Sequence, residues 1–269
     1  MNKIEKTMMD ILKKLKNQYG VIGVKAEFEA EGTRMDELLR LIEIVRRLDL
    51  KLGIKIGGCE AMKDLMECKQ IGTDYIIAPM VESGYALRKY IDAKNKIFTE
   101  EERIDTEFLI NIETKEAAKN IRSIIQENNL FKKNQKIDGW VFGRVDYGMS
   151  IGYSRQHLNF EKNNRVTKKI LEVAKLARQN KMQLVVGGGI SLEAINILKS
   201  IQNIYLDRFE TRKIIFSGNA LEIPTLKEGM LAAVNFELLW LKNKKNYYGA
   251  IFTEDDKRIK MLSGRWDIK

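Results

Sequence analysis

Short apolar runs alternate with helix-length amphipathic segments along almost the whole chain, and this alternation constrains the fold more than any other feature. Strands are predicted over 21–29, 52–56, 74–78, in two runs that end on Glu113 and Asp146, and over 183–186, 204–209 and 213–216. Helices are predicted over 2–17, from Thr33 or Asp36 to 48, over 82–93, 115–128 and 164–179, after Gly57-Gly58, after a Ser191 cap, and over 225–242. Such an order implies parallel strands joined by crossover helices. A closed (β/α)8 TIM barrel takes about 250 residues, and the chain has 269. One domain over 1–269 is therefore expected, with an N-terminal helix and a C-terminal helical extension. An open doubly wound sheet is the competing architecture. Lys25, Glu27, Glu29, Lys55, Glu113 and Asp146 favour the barrel, because they fall toward C-terminal strand ends, where barrel active sites sit.

Composition excludes several classes. No run approaches the ~20 apolar residues that span a bilayer. The first fifteen residues are basic and amphipathic, without the apolar core of a signal peptide, so a cytoplasmic chain is expected. Cys59 and Cys68 form neither a disulfide framework nor a CxxC pair. The net charge of +10 comes from scattered lysines; it reads as a solvated surface rather than a nucleic-acid face.

The run from Phe108 to Gly152 carries the strongest chemical signal. An acid at the end of a buried strand needs a partner. Two such acids, Glu113 and Asp146, on neighbouring strand ends suggest a shared cation. Leu109 and Asn111 share the strand face of Glu113.

This region resembles the metal-dependent HpcH/HpaI aldolase and citrate lyase family. The similarity rests on Ile112-Glu113-Thr114, on Asp138-Gly139 followed by Gly143-Arg144-Val145-Asp146 and Ser150-Ile151-Gly152, and on Ala78-Pro79-Met80-Val81-Glu82. The resemblance implies a TIM barrel that holds a divalent metal through Glu113 and Asp146. It implies a pyruvate-like 2-keto acid chelating that metal, with backbone near Gly143 and Val145 and the Pro79 segment around the substrate. It also implies carbon–carbon bond cleavage or formation through an enolate, in an assembly built through C-terminal helices. Three departures stand out. The family's Glu-His step, whose His is the base, is Glu29-Ala30 here, its Arg at the next strand end is Lys55, and its proline before the metal Asp is changed, giving Arg144-Val145.

Carboxylate ligands favour Mg²⁺ or Mn²⁺. Lys55 is expected to stabilise a developing oxyanion; a Schiff base or an ion pair with Glu27 or Glu29 are its other roles. In place of His, Glu27, Glu29, Glu31 or a metal-bound hydroxide is the candidate base. Arg144 either binds a substrate carboxylate or phosphate or forms a surface ion pair. Gly188 and Gly189 open a helix, as a phosphate cradle or merely a tight turn. Arg208, Glu210 and Arg212, spaced two apart, are expected on one strand face lining the pocket or pairing with one another. The expected function is a metal-dependent lyase or aldolase acting on a 2-keto acid or phosphorylated substrate. A barrel that has lost the chemistry and binds an anionic ligand or nucleic acid is the alternative. The apolar residues of 225–242, including Leu231, Val234, Phe236, Leu238 and Trp240, predict a homo-oligomer.

Overall fold

A computed structural model describes residues 1–158 and 164–266. Eight strands close into one barrel in chain order. They are β1 (Val21–Glu27), β2 (Lys51–Lys55), β3 (Tyr75–Ala78), β4 (Glu107–Ile112), β5 (Gly139–Gly143), β6 (Gln183–Gly187), β7 (Arg208–Glu210) and β8 (Ile214–Ser217). The helices are α1 (Lys3–Tyr19), α2 (Met35–Arg47), α3 (Met62–Ile71), α4 (Gly84–Ile97), α5 (Glu102–Asp105), α6 (Lys115–Lys119), α7 (Ile121–Asn129), α8 (Arg144–Ser150), α9 (Arg165–Asn180), α10 (Ile195–Gln202) and α11 (Leu226–Trp266). Among the described residues no helix is long and apolar enough to cross a membrane.

The predicted alternation holds through β7, and each pair from β1–β2 to β6–β7 is parallel. The eighth strand differs. β8 runs antiparallel to both β7 and β1. Only residues 211–213 separate β7 from β8. A parallel return needs a crossover of a dozen or more residues, so this short link can make only a hairpin.

Outward-facing strand residues join the helices in the main core, for example Ile54, Ile76, Ile110 and Phe142. Inside the barrel Ile77, Leu109, Val141 and Val185 form a separate apolar layer. Below that layer Arg208 stacks 4.2 Å over the Tyr75 ring and donates to Glu107 at 2.8 Å. Above it the interior is polar.

Three local expectations change. Helix 115–128 is interrupted at Asn120, where α6 ends and α7 begins. Ser191 stands at the N-cap as expected, but of a 3-10 turn, Leu192–Ala194, that precedes α10, and its hydroxyl donates to the Glu193 side chain. The helix predicted to end near Lys242 continues to Trp266. The loop predicted over 152–164 lies partly outside the described residues; its described part holds a 3-10 turn, Arg155–Leu158.

Candidate active site at the barrel mouth

Glu113 immediately follows β4 and is buried at the C-terminal mouth. Thr114 behind it starts α6, its side chain accepting from the Ala117 N–H. Three donors organise the carboxylate. Asn111 Nδ2 reaches Oε2 at 2.5 Å, Lys55 Nζ lies 3.4 Å from the same oxygen, and the Met80 N–H donates to Oε1 at 3.1 Å. Met80 has φ +53, a left-handed conformation that costs a non-glycine residue about 1–2 kcal/mol. Pro79 leads the chain into that turn. Burial raises the Glu113 pKa, opposed by Lys55, Asn111 and the Met80 N–H, with Asp146 adding to the rise.

Asp146 does not end a strand. β5 stops at Gly143, and Asp146 is the third residue of α8. It still faces Glu113. A side-chain carbon added at Gly143 would stand 3.1 Å from Glu113 Oε2 and 3.8 Å from Asp146 Oδ2. The two oxygens therefore lie closer than the ~8 Å beyond which one octahedral cation cannot join them. Gly143 is required because that same carbon would meet Glu113 Cβ at 2.8 Å.

Gly188 completes this wall. Its φ is +80, and an added Cβ would stand 2.8 Å from the Val145 nitrogen and 3.0 Å from that of Arg144. Gly143, Val145, Gly188 and Gly189 are thus gathered beside the two acids. Glu113 and Asp146 supply hard oxygen donors, which suit Mg²⁺ or Mn²⁺. Among the described residues no group of three His, Cys, Asp or Glu side chains converges as a ready metal cage. A cation here would take its remaining ligands from substrate and water, as Mg²⁺ commonly does.

Across the mouth, Lys55 bridges Glu113 and Glu29, with Glu29 Oε2 at 3.0 Å. Burial pulls the Lys55 pKa down, but Glu113, Glu29 and Glu27 outweigh it and the net is a rise. Glu27 instead pairs with Lys25 at 3.2 Å, and Glu210 takes the same ammonium at 2.5 Å.

Two expected site residues sit elsewhere. Arg144 is fully buried and donates to the carbonyls of Leu158 at 3.0 Å and Gly189 at 3.3 Å. It ties together the chain at Gly189 and Leu158, and burial lowers its pKa to about 10. Arg212 is not on a strand. It lies in the β7–β8 turn and binds Glu31 at 2.9 Å, with Lys213 on the other oxygen. The tight turn breaks the period-two spacing after Glu210. Arg208 faces the opposite end of the barrel.

Sequence reading placed Met80 in the segment that carries the resemblance but gave its N–H no role at Glu113. It also gave Asn111 no role, although Asn111 shares the Glu113 face by strand period.

The family model for HpcH/HpaI aldolase/citrate lyase matches residues 32–194. With that barrel and mouth, the chain belongs to the HpcH/HpaI aldolase/citrate lyase family, a family of lyase-type enzymes. Among solved structures, an HpcH/HpaI aldolase from Desulfitobacterium hafniense DCB-2 is 13% identical, with TM-score 0.60 over 82% of this chain and 86% of that one. The citrate synthase SbnG is 14% identical, with TM-score 0.58 over 77% and 81%. An HpcH/HpaI aldolase/citrate lyase family protein from Burkholderia cenocepacia J2315 is 9% identical, with TM-score 0.57 over 85% and 90%. At these identities the three share the fold. No curated protein matches the sequence.

Proposed function

We propose that this lyase-family chain is a divalent-metal-dependent carbon–carbon lyase or aldolase acting on a pyruvate-like 2-keto acid or a phosphorylated relative. The observation that carries the reading is the convergence of the Glu113 and Asp146 oxygens at Gly143. Glu113 and Asp146 would hold a Mg²⁺ or Mn²⁺ ion, which would supply Lewis acidity to such a substrate.

The chain's own residues do the rest. Asn111 and the Met80 N–H hold the Glu113 carboxylate in one orientation. Backbone N–H groups near Gly143 and Val145 would hold the substrate carboxylate. Lys55, kept charged by its two carboxylates, sets a positive charge beside the oxygen that gains negative charge. Glu29 is the acid that touches Lys55 and is exposed at the mouth; it is the candidate to take a substrate proton. Glu27 and Glu31 are already engaged by Lys25 and by Arg212 with Lys213.

Pyruvate with Mg²⁺ or Mn²⁺ should raise the melting temperature more than either alone. The same mixture in D₂O should exchange the pyruvate methyl protons, read by NMR. Absence of both the thermal shift and the exchange would refute the reading. Full activity in excess chelator would refute the metal.

A further inference from the structure

A cavity of about 290 Å³ lies at the barrel end opposite the mouth, where β5 and β6 begin and α7 and α9 end. One water takes up about 30 Å³, so the space exceeds what a single bridging water needs.

Two buried donors on its wall lack an oxygen acceptor among the described residues. Trp140 is 1% exposed, and its indole Nε1–H has no partner. Asn128 is 5% exposed. Its Oδ1 accepts the Ile137 N–H at 3.1 Å, which fixes the amide and leaves Nδ2 to the Met182 thioether at 3.7 Å, a weak acceptor. A buried donor without an acceptor is costly, and an oxygen of a bound molecule would remove that cost.

The same wall is basic. Lys133, Lys136 and Lys181 line it, and among the described residues none of the three pairs with a carboxylate. Lys181 ends α9 with φ +55, the left-handed position that Gly20 and Gly72 fill after α1 and α3. Glycine is favoured there, and the lysine gives up that preference to set an ammonium at the cavity. Its side chain is not needed as a cap, because the N–H groups of Lys181 and Met182 already reach the carbonyls of Ala177 and Arg178. Asp138 is the acid on this wall, and its carboxylate accepts the Phe108 N–H at 2.7 Å.

Neutral donors inside and ammonium groups around them call for an anion rich in acceptor oxygens. A phosphate monoester carries three such oxygens and close to two charges; a carboxylate carries two oxygens and one charge. Ile124, Ile137 and Met182 supply apolar wall for the organic part of the ester. We infer that this cavity is a second binding site, for a small phosphate monoester, separate from Glu113 and Asp146.

Phenyl phosphate tests the assignment. Of the three tryptophan indole resonances of ¹⁵N-labelled protein, the one that Trp140→Phe removes should move on titration. Trp240→Phe and Trp266→Phe assign the other two, so the identification survives if Trp140→Phe fails to fold. Lys133→Gln with Lys181→Gly should raise the Kd at least tenfold, and glycine suits the backbone at 181. Asp146→Asn should leave the Kd unchanged, which separates this site from the mouth and from the metal reading. Benzoate and inorganic phosphate should each bind at least tenfold more weakly than phenyl phosphate. A Trp140 resonance that stays fixed at millimolar phenyl phosphate overturns the inference, as does binding indifferent to the two lysine changes. Benzoate binding equally well overturns the phosphate, and inorganic phosphate binding equally well overturns the ester.

Discussion

Lys55 Nζ lies 3.4 Å from Glu113 Oε2, bringing the end of β2 and the residue after β4 into one electrostatic unit. Neither strand neighbours the other; β3 separates them. The pair exists because barrel curvature turns both side chains inward. It keeps a positive charge at the mouth before any metal or substrate enters.

Lys55→Met should therefore lower turnover of a 2-keto acid on the order of 100-fold or more, the scale for losing one preorganised charge donor. Mn²⁺ affinity, followed by electron paramagnetic resonance, should stay within a few-fold, because Glu113 and Asp146 remain. Because the Lys55 pKa is raised, the amine is not a ready nucleophile. Borohydride with pyruvate should leave the wild-type mass unchanged; a covalent adduct on Lys55 would assign it the Schiff-base role.

Gly143→Ala should damage the site directly. The new methyl would meet Glu113 Cβ at 2.8 Å. The backbone there has φ −83, so strain is not the cause. Overpacking of this kind costs about 1–3 kcal/mol. Metal affinity should fall with it, since Glu113 must move. Unchanged stability and unchanged Mn²⁺ binding would show that the wall is looser than described.

Glu210→Gln should destabilise the barrel by about 3 kcal/mol, the low end for breaking a buried ion pair. Lys25 lies inside the barrel, and its pKa is raised: burial lowers it, but Glu210 and Glu27 overcome that. Glu27, 3.2 Å away, remains as a second counter-charge, which is why the low end applies. Urea denaturation at pH 7 measures this, and a loss under about 0.5 kcal/mol would place the ammonium in water.

Lys94 should make stability depend on alkaline pH. It is buried in α4, with its ammonium 4.6 Å from the Phe108 ring centre. Burial lowers its pKa from 10.5 to about 8, with Asp138 opposing and Arg103 adding. Between those values the unfolded chain holds the proton and the folded chain releases it, so stability rises with pH across that window. Lys94→Met should stabilise the protein by about 1–2 kcal/mol at pH 7. The gain should shrink by pH 10. Equal melting temperatures for the two proteins at pH 7 would rule this out.

Much of the architecture is written locally. Period-two runs and amphipathic segments gave the strands through β7 and the helices between them, because each element must hide one face. Ile112-Glu113-Thr114 was legible for the same reason: the strand's inner face ends on an acid, and Thr114 caps the helix after it. Gly143 and Gly188 could be noticed in sequence, but their necessity lies in contacts with Glu113 and with the Val145 nitrogen.

Other features depend on where distant segments meet. Lys25 finds Glu210, and Arg208 finds Glu107, only after the barrel closes. Arg144 looked like a substrate ligand because a guanidinium beside a metal-site motif suits anions. Its burial beneath Gly189 and Leu158 is set by the packing of neighbouring loops. Met80 is the clearest case. Nothing in Ala78-Pro79-Met80 encodes a left-handed turn; the buried Glu113 carboxylate accepts its N–H and holds it there. Sequence determined the elements and set Glu113 at the end of one of them, because local patterning decides which faces are buried. Tertiary structure decided the reversal of β8, the partners of each buried charge and the separation of the two acids, because these are distances between residues far apart along the chain.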